Sequence, residues 1–523
     1  MCTHSGEALE VFASREGNAG DGLASMDAGL ILGLKGEEVA DGVHRSDAKA
    51  SNSANQRSMY AKREQIYPKL VNGPWRGIKW VMLVVLLGIY YVVPFLRWDR
   101  GDAKPSQMIL FDFPGRRMYF GPIELWPQEV YIITGILILA ALGLFLATAL
   151  FGRVWCGFAC PQTIWTDLFI LVERLFEGDR NQRMRLDKQK MSFNKAWRKG
   201  GKHAVWLIIA LSTGGWFVAY FHDAPTLLVG FFTGDAPLSA YGFAALLTFT
   251  TYMLAGTLRE QVCTYMCPWP RIQGAMIDQE ALSVTYRKDR GETRGPHKKN
   301  ETWEGRGDCI DCRACVAACP AGIDIRDGMQ FECINCALCI DACDEIMVKI
   351  GRPKGLIAFD NDLNIQRRTV GEKARYRFFR PRTFFYAALL LAVSSVMLGA
   401  LVLRSPMDVN VIRDRSPTFV MLSNGDVRNA YTVKVLNKAD TARSVQVTIE
   451  GVEGATIKTA NGSVTNGGVR LEIAPDRVAT ARLFVIAQPS TLSSRSIPVR
   501  ISVRDVENGE TATSTSSFIR GRS

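Results

Sequence analysis

Five stretches of this chain carry no Asp, Glu, Lys, Arg or His: residues 80–96, 130–151, 204–221, 237–258 and 383–403. A helix needs roughly 17–25 mostly apolar residues to cross the hydrocarbon core of a bilayer. Globular helices of that length normally keep one polar face, so five such stretches predict five membrane spans. The shorter apolar run 224–234 is expected to be re-entrant or interfacial. Overall composition hides all of this. With 47% hydrophobic and 22% charged residues, the chain looks like an average globular protein. That average combines very apolar and very polar segments.

Charge bias predicts the orientation, because Lys and Arg concentrate in cytoplasmic loops. The segment between spans two and three carries Arg174, Arg183, Lys190, Lys199 and Lys202 among its cations, whereas 223–236 carries none. Lys373, Arg375, Arg377, Arg380 and Arg382 precede span five. The N-terminus and the long 259–382 segment are therefore expected inside, and everything after residue 403 outside. Arg97, Arg100, Lys104, Arg116 and Arg117 run against this bias in the first outer loop. Much of the net charge of +12 is thus a topology signal rather than a nucleic-acid footprint. The basic run 287–299 is expected to be a solvated linker near acidic lipid headgroups.

The remaining segments differ in kind. Residues 1–58 lack any sustained period and are expected to form a disordered tail, with no signal-peptide pattern to make Cys2 a lipoprotein cysteine. The expected organisation is this tail, four spans with their loops over 59–258, a cytoplasmic module over 259–382, span five over 383–403 and a last domain over 404–523. In that last domain, alternating runs at 431–436, 444–449, 469–473, 481–486 and 499–503 predict an antiparallel β-sandwich. It holds neither cysteine nor histidine.

Cysteines carry the chemistry. Of the 13, eight form Cys309-x2-Cys312-x2-Cys315-x3-Cys319-Pro and Cys333-x2-Cys336-x2-Cys339-x3-Cys343. This is the spacing of a bacterial two-cluster ferredoxin, in which the fourth cysteine of each run ligates the other [4Fe–4S] cluster. Cys309, Cys312, Cys315 and Cys343 would hold one cluster; Cys333, Cys336, Cys339 and Cys319 would hold the second. Zinc ribbons use separated pairs instead, and disulfides would be reduced in the cytoplasm. No Cys-x-x-Cys-His occurs, so covalent haem is not expected, and His203 and His222 read as interfacial residues. No glycine fingerprint for NAD or FAD is present.

Four more cysteines form matched pairs, Cys156-x3-Cys160-Pro and Cys263-x3-Cys267-Pro, just after spans two and four. On a helix, i and i+4 side chains share a face, so each pair is expected to offer two thiols to one point at the cytoplasmic membrane surface. Soft thiolates suit Cu(I), zinc or an iron–sulfur site. The segment 162–176 after the first pair spaces Ile164, Leu168, Leu171 and Leu175 along one face, with Trp165 and Phe169 near the interface. It reads as an amphipathic helix lying on the membrane.

These residues together resemble the FixG/RdxA/CcoG family of membrane ferredoxins, over roughly residues 58–523. The resemblance rests on Phe-Asp-Phe-Pro-Gly-Arg-Arg at 111–117, Trp-Pro-Gln at 126–128 and Gly-Arg-Val-Trp-Cys-Gly-Phe-Ala-Cys-Pro-Gln at 152–162. It extends to Glu-Gly-Asp-Arg at 177–180, Arg-Glu-Gln-Val-Cys-Thr-Tyr-Met-Cys-Pro at 259–268, the double cluster run and the β-rich tail. It implies a multidomain integral membrane protein: a five-helix transmembrane bundle, a bacterial-type 2[4Fe–4S] ferredoxin domain and a C-terminal Ig-like β-sandwich on the periplasmic side of a bacterial inner membrane. It further implies reduction of Cu(II) to Cu(I) for cbb3-type cytochrome c oxidase assembly. Cys156, Cys160, Cys263 and Cys267 would handle copper, with oxidase subunits or copper-delivery proteins as partners and an unidentified electron donor. Two other expectations stand beside this one. The chain could relay electrons from quinol to a periplasmic reductase, with Glu129 in the quinol pocket. Or it could be a non-enzymatic scaffold that docks oxidase subunits through its β-domain.

Overall fold

The computed structural model describes residues 38–40, 43–52, 64–101, 104–298, 301–439, 441–459, 463–465, 468–492 and 494–520. The chain divides into two units, up to residue 394 and from 395 onward.

Pro74–Phe95, Pro127–Phe151 and Leu238–Leu258 of the first unit, and Pro381–Val402 across the boundary, are long and apolar enough to cross a membrane. The stretch predicted at 204–221 lies mostly in a 26-residue helix, Phe193–Val218, whose first turns carry Lys195, Arg198, Lys199 and Lys202. Those cations dilute the apolarity of the helix as a whole but leave its second half free of charge. This helix packs on Leu238–Thr251 through small residues: Ala210, Ala240 and Ala244 are all buried. Small side chains let helices approach closely where hydrophobicity supplies no drive between them. Past Thr251 the fourth span winds into a π-type turn over Tyr252–Leu258 and stops at Arg259, with φ of 44°. The 224–234 run is a short helix, Ala224–Thr233, started by the Asp223 carboxylate, which accepts from the Thr226 N–H, and closed by Gly234.

The basic residues of the first loop are engaged locally. Lys104 and Arg117 pair with Glu124 at 3.1 and 3.0 Å, and Arg97 pairs with Asp223 at 2.6 Å. Arg100 donates to four backbone carbonyls, and a three-stranded sheet, Ile109–Asp112, Arg117–Phe120 and Ile123–Leu125, frames this cap.

The cysteine-rich module folds around helices Ala314–Ala318 and Leu338–Lys349 and an antiparallel strand pair, Ser283–Tyr286 with Ile357–Asp360. Two expectations are corrected here. The basic run after residue 286 is not a free linker: Arg287 pairs with Asp360 at 2.8 Å and Arg290 with Asp308 at 2.5 Å. The tail expected to be disordered through residue 58 is ordered over 43–52. Val43 and Ala48 are buried in the module's core, Ser46 donates its N–H to the Cys312 carbonyl at 2.7 Å, and Asn52 Nδ2 donates to the Ala321 carbonyl at 2.6 Å. The rest of that expectation lies outside the described residues, apart from the short strand Glu38–Ala40.

The second unit contains a β-sandwich of two five-stranded antiparallel sheets. Each predicted alternating run falls inside a longer strand, as 431–436 does in Val427–Asn437 and 499–503 in Ser496–Asp505. Strands Met407–Arg413, Val420–Met421, Thr456–Thr459, Ser463–Thr465 and Thr511–Ile519 complete the sheets. Inward side chains such as Val433, Val435, Val447, Leu483, Ile501 and Phe518 are fully buried between the layers.

Candidate metal centre and thiol quartet

Cys309, Cys312 and Cys315 of the first motif line one small cavity, and its fourth thiol is Cys343 of the second. Cys333, Cys336 and Cys339 line a second cavity together with Cys319, and Cys315 forms part of the wall between them. The other walls are largely apolar, with Met347, Leu356 and Ile357 around the first space and Val284, Ile323 and Ile334 around the second. Equivalent residues shape the two loops. Asp311 and Arg313 in one, and Asn335 and Ala337 in the other, take positive φ between 52° and 62°. This turn aims backbone N–H groups at sulfur: Ala314 at Cys312, Asn335 at Cys333 and Leu338 at Cys336. Burial nevertheless pushes the Cys333 thiol up to about 11 and Cys319 up to about 12. As free thiols they stay protonated at neutral pH, and a bound metal would draw off those protons. Among the described residues no three His, Cys, Asp or Glu side chains converge tightly enough for a single ion. Four thiols spread around a dry void fit a [4Fe–4S] cube, which takes four cysteine thiolates.

The Cys-x3-Cys-Pro pairs do not sit on continuous helices, which corrects the expected geometry. Cys156 lies in the short helix Val154–Phe158, whereas Cys160 is extended with ψ of 128°. Cys263 lies in the π-type turn Val262–Met266, whereas Cys267 is extended with ψ of 120°. The cause is the proline after each second cysteine, which disfavours helical backbone in the residue before it. The pairs do come together. Burial first, then the Cys160 and Cys263 thiols, push Cys156 up to about 12 against the pull of Arg153. Burial, followed by Cys160, Cys267 and Glu260, pushes Cys263 up to about 12. Gln273, missed in the sequence, fixes the Cys156 thiol: its Oε1 accepts from Sγ at 3.1 Å while its Nε2 donates to Thr148 Oγ1 at 3.1 Å.

The segment between the first pair's cysteines packs on the loop that lines the second space. A Cβ on Gly157 would come within 2.7 Å of the Ile334 carbonyl oxygen and 2.9 Å of the Asn335 carbonyl carbon. Gly152 turns the chain there with φ of 59°, and a Cβ would stand 2.8 Å from Asn335 Nδ2. Two glycines of the 152–162 motif thus bring Cys156 onto the loop that carries Cys333 and Cys336.

Helix Pro161–Glu177, expected to be amphipathic, packs one face into the unit. Phe169, Asp167, Glu173 and Glu177 are buried, while Leu171 and Leu175, on the expected apolar face, are exposed. The carboxylates decide which face turns in. Asp167 meets Lys79 at 2.9 Å and Arg76 at 3.3 Å. Glu173 pairs with Arg183 and, at 2.6 Å, with Arg259; Lys202 joins Glu173 at 3.5 Å and Glu177 at 2.8 Å. Burial would push Asp167 up, but the Lys79 and Arg76 charges hold it below the usual carboxylate range. Glu129 is buried and accepts from the Trp126 N–H at 3.1 Å, capping its helix. His203 shares a hydrogen bond of 2.8 Å with the Tyr252 hydroxyl.

Two thiol-ringed spaces beneath a helical membrane bundle define a membrane-bound iron–sulfur electron carrier. Comparison with known proteins narrows this. Residues 258–362 match a family model described as a 4Fe–4S dicluster domain, residues 133–177 a 4Fe–4S binding domain, and residues 397–521 the Ig-like fold at the C-terminal of FixG. The chain is 47% identical over 474 residues to the nitrogen fixation protein FixG of Rhizobium meliloti, covering 85% of this chain and 90% of that one. It is 48% identical over 459 residues to protein RdxB of Cereibacter sphaeroides, covering 87% and 95%. A crystal structure of a FixG-related protein from Vibrio parahaemolyticus aligns with 23% of this chain and 99% of its own, at 24% identity and a TM-score of 0.20. The chain belongs to the FixG/RdxA/RdxB family. It is an iron–sulfur redox protein of the membrane with an Ig-like C-terminal domain.

Proposed function

We propose that this protein is a membrane-bound cupric reductase that prepares Cu(I) for assembly of a cbb3-type oxidase. The observation that carries the reading is the packing of Gly157 on Ile334 and Asn335, which sets the thiol quartet against the second thiol-lined space. Cys309, Cys312, Cys315 and Cys343 hold the first cluster; Cys333, Cys336, Cys339 and Cys319 hold the second. A [4Fe–4S] cube supplies one electron, the difference between Cu(II) and Cu(I). Copper is the substrate. Two thiols at a time from Cys156, Cys160, Cys263 and Cys267 would take it up as thiolates, releasing protons, and their softness favours the cuprous product. Gln273 orients the Cys156 thiol for that contact. The basic loops support a cytoplasmic position for the ferredoxin module and a periplasmic one for the β-domain, in a bacterial inner membrane. Oxidase subunits or copper-delivery proteins are the partners in this reading, and the electron donor is another protein or the quinone pool.

Full-length protein with reduced clusters should convert Cu(II) to Cu(I), read with a Cu(I)-specific chelator. Cys156→Ala with Cys263→Ala should abolish conversion while leaving iron content intact; unimpaired conversion contradicts the assignment. The family match over 133–177, which includes Cys156 and Cys160, favours a second reading in which the quartet itself holds iron and sulfide. Metal analysis separates the two: about eight iron atoms per chain for two cubes, more if the quartet is also loaded.

A further inference from the structure

Arg153 directly follows the turn that ends the second span and is only 3% exposed. Its Nη1 donates to the carbonyls of Gln330, Phe331 and, at 3.1 Å, Cys333. Its guanidinium carbon stands 5.6 Å from the centre of the Phe331 ring. Helix Trp269–Met276 closes the other side, where Gly274 leaves room for Nη2: a Cβ there would be 3.2 Å away. Among the described residues no carboxylate pairs with Arg153, and its buried Nε has no hydrogen-bond partner. The groups whose charge reaches it are thiols, Cys333 on one side and Cys156 on the other. A buried guanidinium without an anion is strongly unfavourable, because neutral carbonyls do not cancel its charge. Four thiolates around an iron–sulfur cube carry net negative charge and would supply what is missing.

We propose that Arg153 is a positioning residue that acts as the fixed counter-ion of the second cluster, holding it at a higher reduction potential than the first. The inference rests on the assignment of a cluster to each thiol-lined space, but not on copper. A positive charge that lies close to a cluster and is excluded from water stabilises the reduced, more negative state. The first space is lined by Arg326 and Arg313, but both face carboxylates that offset their charge: Arg326 is bound by Asp324 at 2.6 Å and Asp311 at 2.5 Å, and Arg313 stands 3.8 Å from Asp311. With Arg153 in place, the first electron taken up rests in the cluster beside the thiol quartet.

The test is a copper-free redox titration of full-length protein in lipid nanodiscs, followed by EPR. Each step is assigned by its loss in Cys312→Ser or Cys336→Ser. The wild type should show two one-electron steps, with the second cluster reduced first. Arg153→Gln should move that step alone to lower potential, and Arg153→Lys, which keeps the charge, should recover most of the shift. Unmoved steps in Arg153→Gln, or an equal shift in Arg153→Lys, overturn the proposal. If Arg153→Gln fails to load iron, Arg153→Lys decides: retained order supports the counter-ion role and reversed order removes it. Because no copper is present, failure of cupric reduction leaves this result standing, and the reverse also holds.

Discussion

The two thiol-lined spaces share one cysteine spacing and the same left-handed turns, but they have different neighbours. The first is enclosed within the module. Residues 43–52 cover part of it, Arg45 pairs with Asp311 at 2.7 Å, and its nearest cation is offset by two aspartates. The second faces the membrane bundle, where among the described residues no carboxylate pairs with Arg153, and Lys79 acts on Cys336 from the first span. Equal ligands with unequal neighbours teach that any difference between the two spaces comes from what packs outside the motif. Chain segments far away in sequence, not the Cys-x2-Cys-x2-Cys runs, distinguish one end of the relay from the other.

The sharpest way to break the comparison is to exchange the crossing ligands. Cys319→Ser should remove the second cluster although it belongs to the first motif, and Cys343→Ser should remove the first. Each should lose about four iron atoms. EPR of the reduced variants reads which signal survives, and the opposite assignment would discard the crossed pairing. Next in size is Asp167→Asn, which strands Lys79 and Arg76 as buried charges at a cost of about 3–5 kcal/mol. A lower thermal midpoint in detergent should be accompanied by a rise in potential of the second cluster only. Gly157→Val forces side-chain atoms into the Ile334–Asn335 backbone and should cost about 1–3 kcal/mol. Both clusters should still load, while cupric reduction slows by ~10-fold or more. The smallest effect should follow removal of residues 1–52, which exposes the flank of the first space: its cluster should bleach faster in air while the second is unchanged.

Much of this was legible in advance for one physical reason: spans and cluster motifs are local patterns. A run without charge must find lipid or a core, and triplets of thiols at fixed spacing need one polynuclear centre. The fourth-ligand exchange follows the same logic, and the structure brings Cys343 to the first space and Cys319 to the second. What could not be read depends on partners distant in sequence. Helix Pro161–Glu177 looked amphipathic by its leucines, but the side that turns inward carries Asp167, Glu173 and Glu177, whose cations come from four other segments. Residues 43–52 have too little apolar content to signal order alone, and gain it by docking Val43 and Ala48. The pairs Cys156–Cys160 and Cys263–Cys267 follow the helices Val130–Phe151 and Leu238–Thr251 in the chain. Their backbone differed because the prolines after them outweigh the i, i+4 pattern. Arg153 stands in the 152–162 motif, yet nothing local tells a buried arginine from an exposed one.

The central claim is that electrons leave through the second cluster to the thiol quartet. Freeze-quench EPR after mixing fully reduced protein with one equivalent of Cu(II) tests it most directly. The signal of the second cluster should be the first to fall, in step with loss of the cupric signal, and both should persist in the variant with alanine at Cys156, Cys160, Cys263 and Cys267. Equal reoxidation of the clusters by copper in that four-alanine variant would contradict the claim.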